Sequence, residues 1–307
     1  MATQPASKPS IPIVDLALVL VALIWGINAP IVKASLAGWD QLAYNAIRFP
    51  SAAVLLFLYV VWTDKGWRLT RKEFWHVALL GLIGNGLYQW MYIEAMPRSS
   101  ASNVSVIIAL SPLVVSVWGM VTGIERRSLL VVGAAAASVS GGAMVILGGP
   151  DGVHLGGPTL VGDLIAVAAM LAWGAYTVYS RPVINRVGSS LRVTAWAMMF
   201  GAMTNFLIGI PSLLHQDFAA VTAASVAGMT YSALLSLLVG YVLFNWGVSR
   251  IGGARTAIYI SLSPIFAAVV AMLFLHEIWS PVQWIGAAFV IGGVALSKIA
   301  NVPSSVA

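Results

Sequence analysis

Arg250 to Glu277 reads RIGGARTAIYISLSPIFAAVVAMLFLHE, and Arg98 to Glu125, 152 residues earlier, reads RSSASNVSVIIALSPLVVSVWGMVTGIE. Arg98 aligns with Arg250, Ile108 with Ile260, and Leu110-Ser111-Pro112 with Leu262-Ser263-Pro264. Val117, Met120 and Glu125 align with Val269, Met272 and Glu277. Apolar segments match one another by chance at Gly, Ala, Leu and Val, but not at an Arg, a Ser-Pro and a Glu held in one register. The chain therefore reads as an internal duplication, which in an apolar sequence is the first feature to explain.

The composition is 60% hydrophobic and 8% charged, and the mean hydropathy is +0.91. Soluble domains carry about 25% charged residues, so this chain lacks the material for a water-facing surface. Apolar runs of about 20 residues predict membrane-crossing helices, not the alternating ~10-residue strands of a barrel. The formal charge of +6 comes from short loops without a run that could track a phosphate backbone, so no nucleic-acid partner is expected. The chain has no cysteine and only four scattered histidines, His76, His154, His215 and His276. Disulfides, thiolate catalysis and a metal centre are not expected, and neither is a cofactor.

Ten spans are predicted, at 13–35, 41–62, 74–96, 99–122, 128–148, 160–182, 193–213, 223–247, 254–276 and 281–300. Polar tails at 1–12 and 301–307 flank two halves, 13–150 and 151–300, of five spans each. With the N-terminus inside, thirteen Lys and Arg residues fall in inner loops or ends, and three (Lys33, Arg48, Arg98) fall on the outer side. This bias predicts two cytoplasmic termini. The duplication extends further: Leu23-Ile24-Trp25-Gly26 resembles Leu171-Ala172-Trp173-Gly174, and Gly133-Ala134-Ala135 resembles Gly286-Ala287-Ala288. Five spans per half is an odd number, so the second half must enter the membrane from the opposite side. Inverted repeats place a binding site near the midplane and give two mirror-related states, the architecture of a secondary transporter.

Polar and aromatic residues within the spans mark the candidate site. Span 3 carries Asn85, Tyr88, Gln89 and Tyr92, three and four apart and so on one helical face. Span 1 offers Trp25 and Asn28, span 4 Ser105, span 6 Trp173 and Tyr176, span 8 Tyr241 and Asn245, and span 9 Tyr259. In lipid such groups turn to the bundle interior, either to line a cavity or to bond neighbouring helices. A lining of this kind grips apolar and aromatic groups by stacking, and cations on ring faces. Charges within the spans, Lys33, Arg48 and Glu94, are candidate sites by default, although Arg48 and Glu94 lie near enough to the outer interface to snorkel or to pair. Pro30, Pro50, Pro112 and Pro264 lie inside spans; Pro112 and Pro264 are repeat mates and thus candidate hinges as well as simple kinks. Trp39, Trp62, Trp67, Trp75 and Trp279 fall near span ends, as an interfacial belt requires. The glycine-rich run from Gly81 to Gly86 lies within a span and suits helix packing, and no Walker motif is present.

These features together resemble the EamA family of the drug/metabolite transporter superfamily: Trp25-Gly26 with Lys33, Arg48-Phe49, the small residues leading to each Leu-Ser-Pro, and Leu275-His276-Glu277. The resemblance covers essentially the whole chain, once per half. It implies ten helices in inverted repeats and metabolite export across the bacterial inner membrane. The partners expected are a small-molecule substrate and the lipid bilayer, the expected unit is a monomer, and no enzymatic activity is expected. Within the family the chain is most similar to the YddG-type aromatic amino acid exporters, which implies export of aromatic and other neutral amino acids. A carrier of other amphipathic compounds or cationic drugs is the alternative. A membrane sensor or enzyme is disfavoured by the absence of an output domain or of converging catalytic groups.

Overall fold

The computed structural model describes residues 13–99, 101–148, 157–275 and 279–299. The two expected tails and Glu277 lie outside the described residues. Every regular element among those residues is helical, without a strand, and the helices build a multi-pass membrane protein. The helices are α1 (Ile13–Ser35), α2 (Gln41–Thr63), α3 (71–98), α4 (101–121), α5 (Leu129–Leu147), α6 (Leu160–Val187), α7 (Ser190–Leu214), α8 (Ala223–Ile251), α9 (253–275) and α10 (Pro281–Ile299). Nine of the described segments are long and apolar enough to span a bilayer. The tenth, α3, is more polar because it carries Arg71, Lys72, Glu73, Glu94 and Arg98 besides its buried amides.

Local sequence sets the helix ends. Asp40 accepts the N–H groups of Leu42 and Ala43 at the start of α2, and Thr70 and Glu73 form a capping box at the start of α3. Ser128, Ser189 and Thr222 cap α5, α7 and α8. α6 ends at Gly188, whose φ of 78° is left-handed. Large apolar residues on the outer surface, such as Leu129 at 88% and Trp62 at 85% exposed, face where lipid would be.

Contacts between ends fix the course of the chain. At the face where α1 begins, Lys298 meets Asp15, Arg192 meets Asp64, and Glu125 meets Gly253. At the opposite face Gln216 meets Asp40, Ser280 meets Gly148, and Asn103 meets Asp163. These are called the terminal face and the far face below. α1 and α6 thus start from opposite faces, so the two five-helix halves are inverted.

The repeat is visible in the backbone. α4 breaks between Ala101–Ala109 and Ser111–Val121, and α9 between Gly253–Ile260 and Ser263–Leu275. Both breaks fall at the duplicated Leu-Ser-Pro. Pro30 and Pro50 instead lie within unbroken helices. α3 and α8 each contain a π-helical segment, Leu82–Leu87 and Ser232–Val239, in overlapping positions of the two repeats. The Trp-Gly pairs gain a structural reason as well. A methyl group on Gly26 would lie 2.5 Å from the Ser263 carbonyl, and one on Gly174 would lie 3.3 Å from Val114. Each glycine lets the broken helix of the other half approach. α5 and α10 pack equally closely, Gly141 against Gly286.

The belt of tryptophans is smaller than expected. Trp62 and Trp75 are exposed. Trp67 stacks on Trp196 at 6.0 Å, Trp39 packs edge-on to Tyr44 and Phe218, and Trp279 is buried and donates to the Ala268 carbonyl. Proximity to a helix end does not tell a lipid anchor from a packed ring.

Candidate functional site

The centre of the bundle is an aromatic cluster built around the two symmetry-related tryptophans. Trp25 of α1 and Trp173 of α6 meet edge to face, with ring centroids 5.6 Å apart. Tyr241 of α8 is 5.9 Å from Trp25 and 5.6 Å from Trp173, and Phe244 is 5.3 Å and 5.0 Å from them. Tyr176 stacks on Trp173 at 5.3 Å. On the α3 side Tyr88 is 5.0 Å from Trp173, and Tyr92 is 5.9 Å from Tyr88. Tilted and edge-on contacts at these separations are the favoured ring geometries. The Trp25 indole donates to the Ser236 carbonyl at 3.0 Å. That carbonyl belongs to the π-helical segment of α8, where the i→i+4 ladder is interrupted.

A hydrogen-bonded line runs from this cluster toward the far face. Gln89 donates to the Tyr241 hydroxyl at 2.8 Å; these two residues are repeat mates, 152 positions apart. The Gln89 carbonyl oxygen accepts from Arg48 at 2.8 Å. Arg48 also donates to Asn45 Oδ1 at 2.9 Å and to Ser232 Oγ at 3.0 Å, and its guanidinium lies 5.6 Å from the Tyr44 ring. Asn45 in turn donates to Asn205, which holds the backbone carbonyls of Asn85 and Gly201. Arg48 is only 1% exposed. It neither snorkels nor pairs with Glu94, which binds Arg98 one turn along α3. Lys33 is exposed at the end of α1.

The sequence-predicted residues divide into three groups. Trp25, Tyr88, Gln89, Tyr92, Trp173, Tyr176 and Tyr241 converge on the centre. Asn245 stands behind it, donating to Tyr176 Oη at 2.6 Å and to Thr194 at 2.9 Å. Asn85 is fully buried at the crossing of α3 and α7, and Asn28 is buried on α1 one turn from Trp25. Ser105 is half-buried on α4. Tyr259 lies apart, packed with Leu18, Ala134 and Ile258, with its hydroxyl donating to Asp15 at 2.5 Å. Phe244 is central and escaped the sequence reading because an apolar ring in a span carries no polar signal. Arg48 was legible as a charge but not as a member of this network. Thr177 and Ser180 bond the carbonyls one turn back, at Trp173 and Tyr176, so their role is local.

The cluster is closed in this conformation: Trp173, Tyr176 and Tyr241 are all buried. Clefts of about 380 and 420 Å³ lie away from it, between α1 and α8 beside Ser35 and Tyr231, and between α3 and α6 beside Glu94 and Arg98. Among the described residues no group of three His, Asp or Glu side chains is placed to hold a metal.

Acidic residues sit at the ends of the bundle. Asp15 on α1 accepts from Tyr259 of α9 and pairs with Lys298 of α10 at 2.8 Å. Its repeat mate Asp163 on α6, 148 positions on, accepts from Ser99 at 2.6 Å and from Asn103 of α4 at 3.0 Å. Glu125, at the end of α4, accepts the Gly253 N–H at 2.8 Å and so caps α9, the mate of its own helix. In the loop after α2, Arg192 and the Gly66 N–H hold the Asp64 carboxyl below the usual carboxylate range.

The sequence profile of the EamA-like transporter family matches residues 12–147 and again residues 160–299. The chain belongs to the EamA-like transporter family. It is a multi-pass transporter, not an enzyme. A transporter of Archaeoglobus fulgidus is 28% identical to this EamA protein over 285 residues, 92% of this chain and 96% of the relative. A probable terminal-alkyne amino-acid exporter of Streptantibioticus cattleyicolor is 28% identical over 282 residues, 91% of each chain. A crystal structure 17% identical in sequence superposes with a TM-score of 0.76, covering 94% of this EamA protein and 99% of its own chain, and so shares its fold.

Proposed function

We propose that this transporter exports amino acids, aromatic and other neutral ones, from the cytoplasm across a bacterial inner membrane by alternating access. Both termini are cytoplasmic in this reading, which rests on the thirteen-to-three distribution of basic residues. The observation that carries the proposal is the meeting of Trp25 with Trp173 at the interface of the halves, roofed by Tyr88, Tyr92 and Tyr241. Inverted-repeat carriers bind substrate at such an interface, and these rings would part to stack on a flat side chain. Asn28, Gln89, Ser105 and Tyr176 complete the proposed lining, with Asn85 and Asn245 behind it and Pro112 and Pro264 as hinges; Tyr259, bonded to Asp15, stands outside it. The Streptantibioticus relative, named for an amino-acid substrate, supports the same class. The buried positive charge of Arg48 disfavours cationic drugs.

Purified protein in liposomes, preloaded with a neutral amino acid, should take up labelled tryptophan, phenylalanine or threonine by counterflow. Trp173→Ala should reduce phenylalanine counterflow at least about tenfold, corresponding to about 1.4 kcal/mol of lost stacking, and threonine counterflow less. Uptake of a labelled quaternary amine without any amino acid would overturn the proposal.

A further inference from the structure

We infer that Arg48 and Asn28 form a subsite for the charged end of the substrate, Arg48 taking a carboxylate and Asn28 an ammonium. The inference rests on the reading above that a small molecule is carried between the halves.

Arg48 is buried, and its bonded partners Asn45, Gln89 and Ser232 are all neutral. Its Nε–H, also buried, has no acceptor. None of the ion pairs among the described residues involves it. A buried guanidinium normally acquires a carboxylate, since three neutral acceptors satisfy N–H groups without neutralising the charge. Asn28 has the opposite deficit: its buried Oδ1 is an acceptor without a donor. The two share one depth. Val32 of α1, Tyr44 of α2 and Met229 of α8 pack in a single cluster. One turn further into the bundle, these helices bring Asn28, Arg48 and Ser232. A spare donor carrying positive charge on α2 and a spare neutral acceptor at the same depth on α1 complement the carboxylate and ammonium of a zwitterion. Gln89 links Arg48 to Tyr241, so a substrate held there would direct its side chain to the Trp25–Trp173 pair. The Val32–Tyr44–Met229 cluster would then close the site toward the far face.

Thermal stabilisation of the detergent-purified, full-length protein tests this with neutral amino acids, phenethylamine (no carboxylate) and 3-phenylpropionate (no ammonium). Wild type should require at least about tenfold more phenethylamine than phenylalanine for the same stabilisation. Arg48→Gln should close that gap, and Arg48→Lys should restore part of it. Asn28→Ala should weaken phenylalanine and leave 3-phenylpropionate unchanged. Equal response of wild type to phenylalanine and phenethylamine overturns the inference, as does a gap that survives Arg48→Gln. No response to any carboxylate-bearing compound overturns it too. The wild-type comparison decides even if a variant fails to fold. Arg48-dependent binding of 3-phenylpropionate without binding of any amino acid keeps the carboxylate subsite, and overturns both the Asn28 role and the amino-acid reading of the carrier.

Discussion

At position 84 even a methyl group has no room. A Cβ there would lie 2.1 Å from Cδ2 of Tyr176 and 2.5 Å from its Cβ, so the ring must move, and its hydroxyl holds Asn245 at 2.6 Å. Overpacking of this kind costs roughly 1–3 kcal/mol. Gly84→Ala should therefore lower the thermal midpoint in detergent by several degrees, and the cost should nearly vanish in a Tyr176→Gly background, which removes the Cβ as well as the ring. An equal cost in both backgrounds would show that the clash with Tyr176 is not what the glycine avoids. The sequence made Gly84 legible as a packing residue, because a glycine-rich run inside an apolar span serves close approach. It made the amides and tyrosines of α3 legible as inward-facing, because lipid offers them no partner. Which inward-facing groups touch one another was not legible. Arg48 could reach the interface by its length alone, and only packing reveals that it turns instead to Gln89 and Ser232. Tyr259 carries the same local signal as Tyr241, yet it bonds Asp15, 244 positions away in the chain.

Among the elements, the broken pair α4 and α9 was readable from the duplicated Leu-Ser-Pro, since proline removes a backbone donor and opposes a continuous helix. The matching π-helical segments of α3 and α8 were not readable. They contain no proline, and their altered hydrogen-bond register leaves no compositional mark. π-helical segments recur at functional sites, and here one frees the Ser236 carbonyl for Trp25 while also supplying Ser232 to Arg48. Pro30 and Pro50 show that a proline alone does not decide a break. At Pro264 the preceding turn has tightened, with Ser261 donating to Ile258 and Leu262 to Tyr259. Pro264→Ala supplies an N–H that can complete an ordinary turn across the break. Transport by this variant should slow by roughly tenfold, a change of about 1.4 kcal/mol in the slow step, while substrate affinity in detergent stays unchanged. An unaltered counterflow rate in a folded variant would assign the proline a shaping role only.

For the whole molecule, the inverted repeat gives each face a carboxylate that joins the two halves. Asp15 ties α1 of the first half to α9 and α10 of the second at the terminal face. Asp163 ties α6 of the second half to α4 of the first at the far face. The sequence held this pair in plain view, 148 positions apart like Trp25 and Trp173. It went unread because an acid in the first turn of a helix ordinarily serves the helix dipole. If the halves rock against each other, releasing one tie shifts the population toward opening at that face and closure at the other. The absence of cysteine from the chain allows single reporters: Leu18→Cys, buried beside Tyr259, and Val104→Cys, buried beside Ile107. Asp15→Ala should raise maleimide labelling of the Leu18→Cys reporter severalfold and lower that of the Val104→Cys reporter. Asp163→Ala should do the reverse. The distant reporter decides the matter, because local loosening around either acid raises labelling only nearby. If the distant site is unchanged, or if both reporters rise together, the two acids are structural ties within a rigid bundle and do not set a balance between two states.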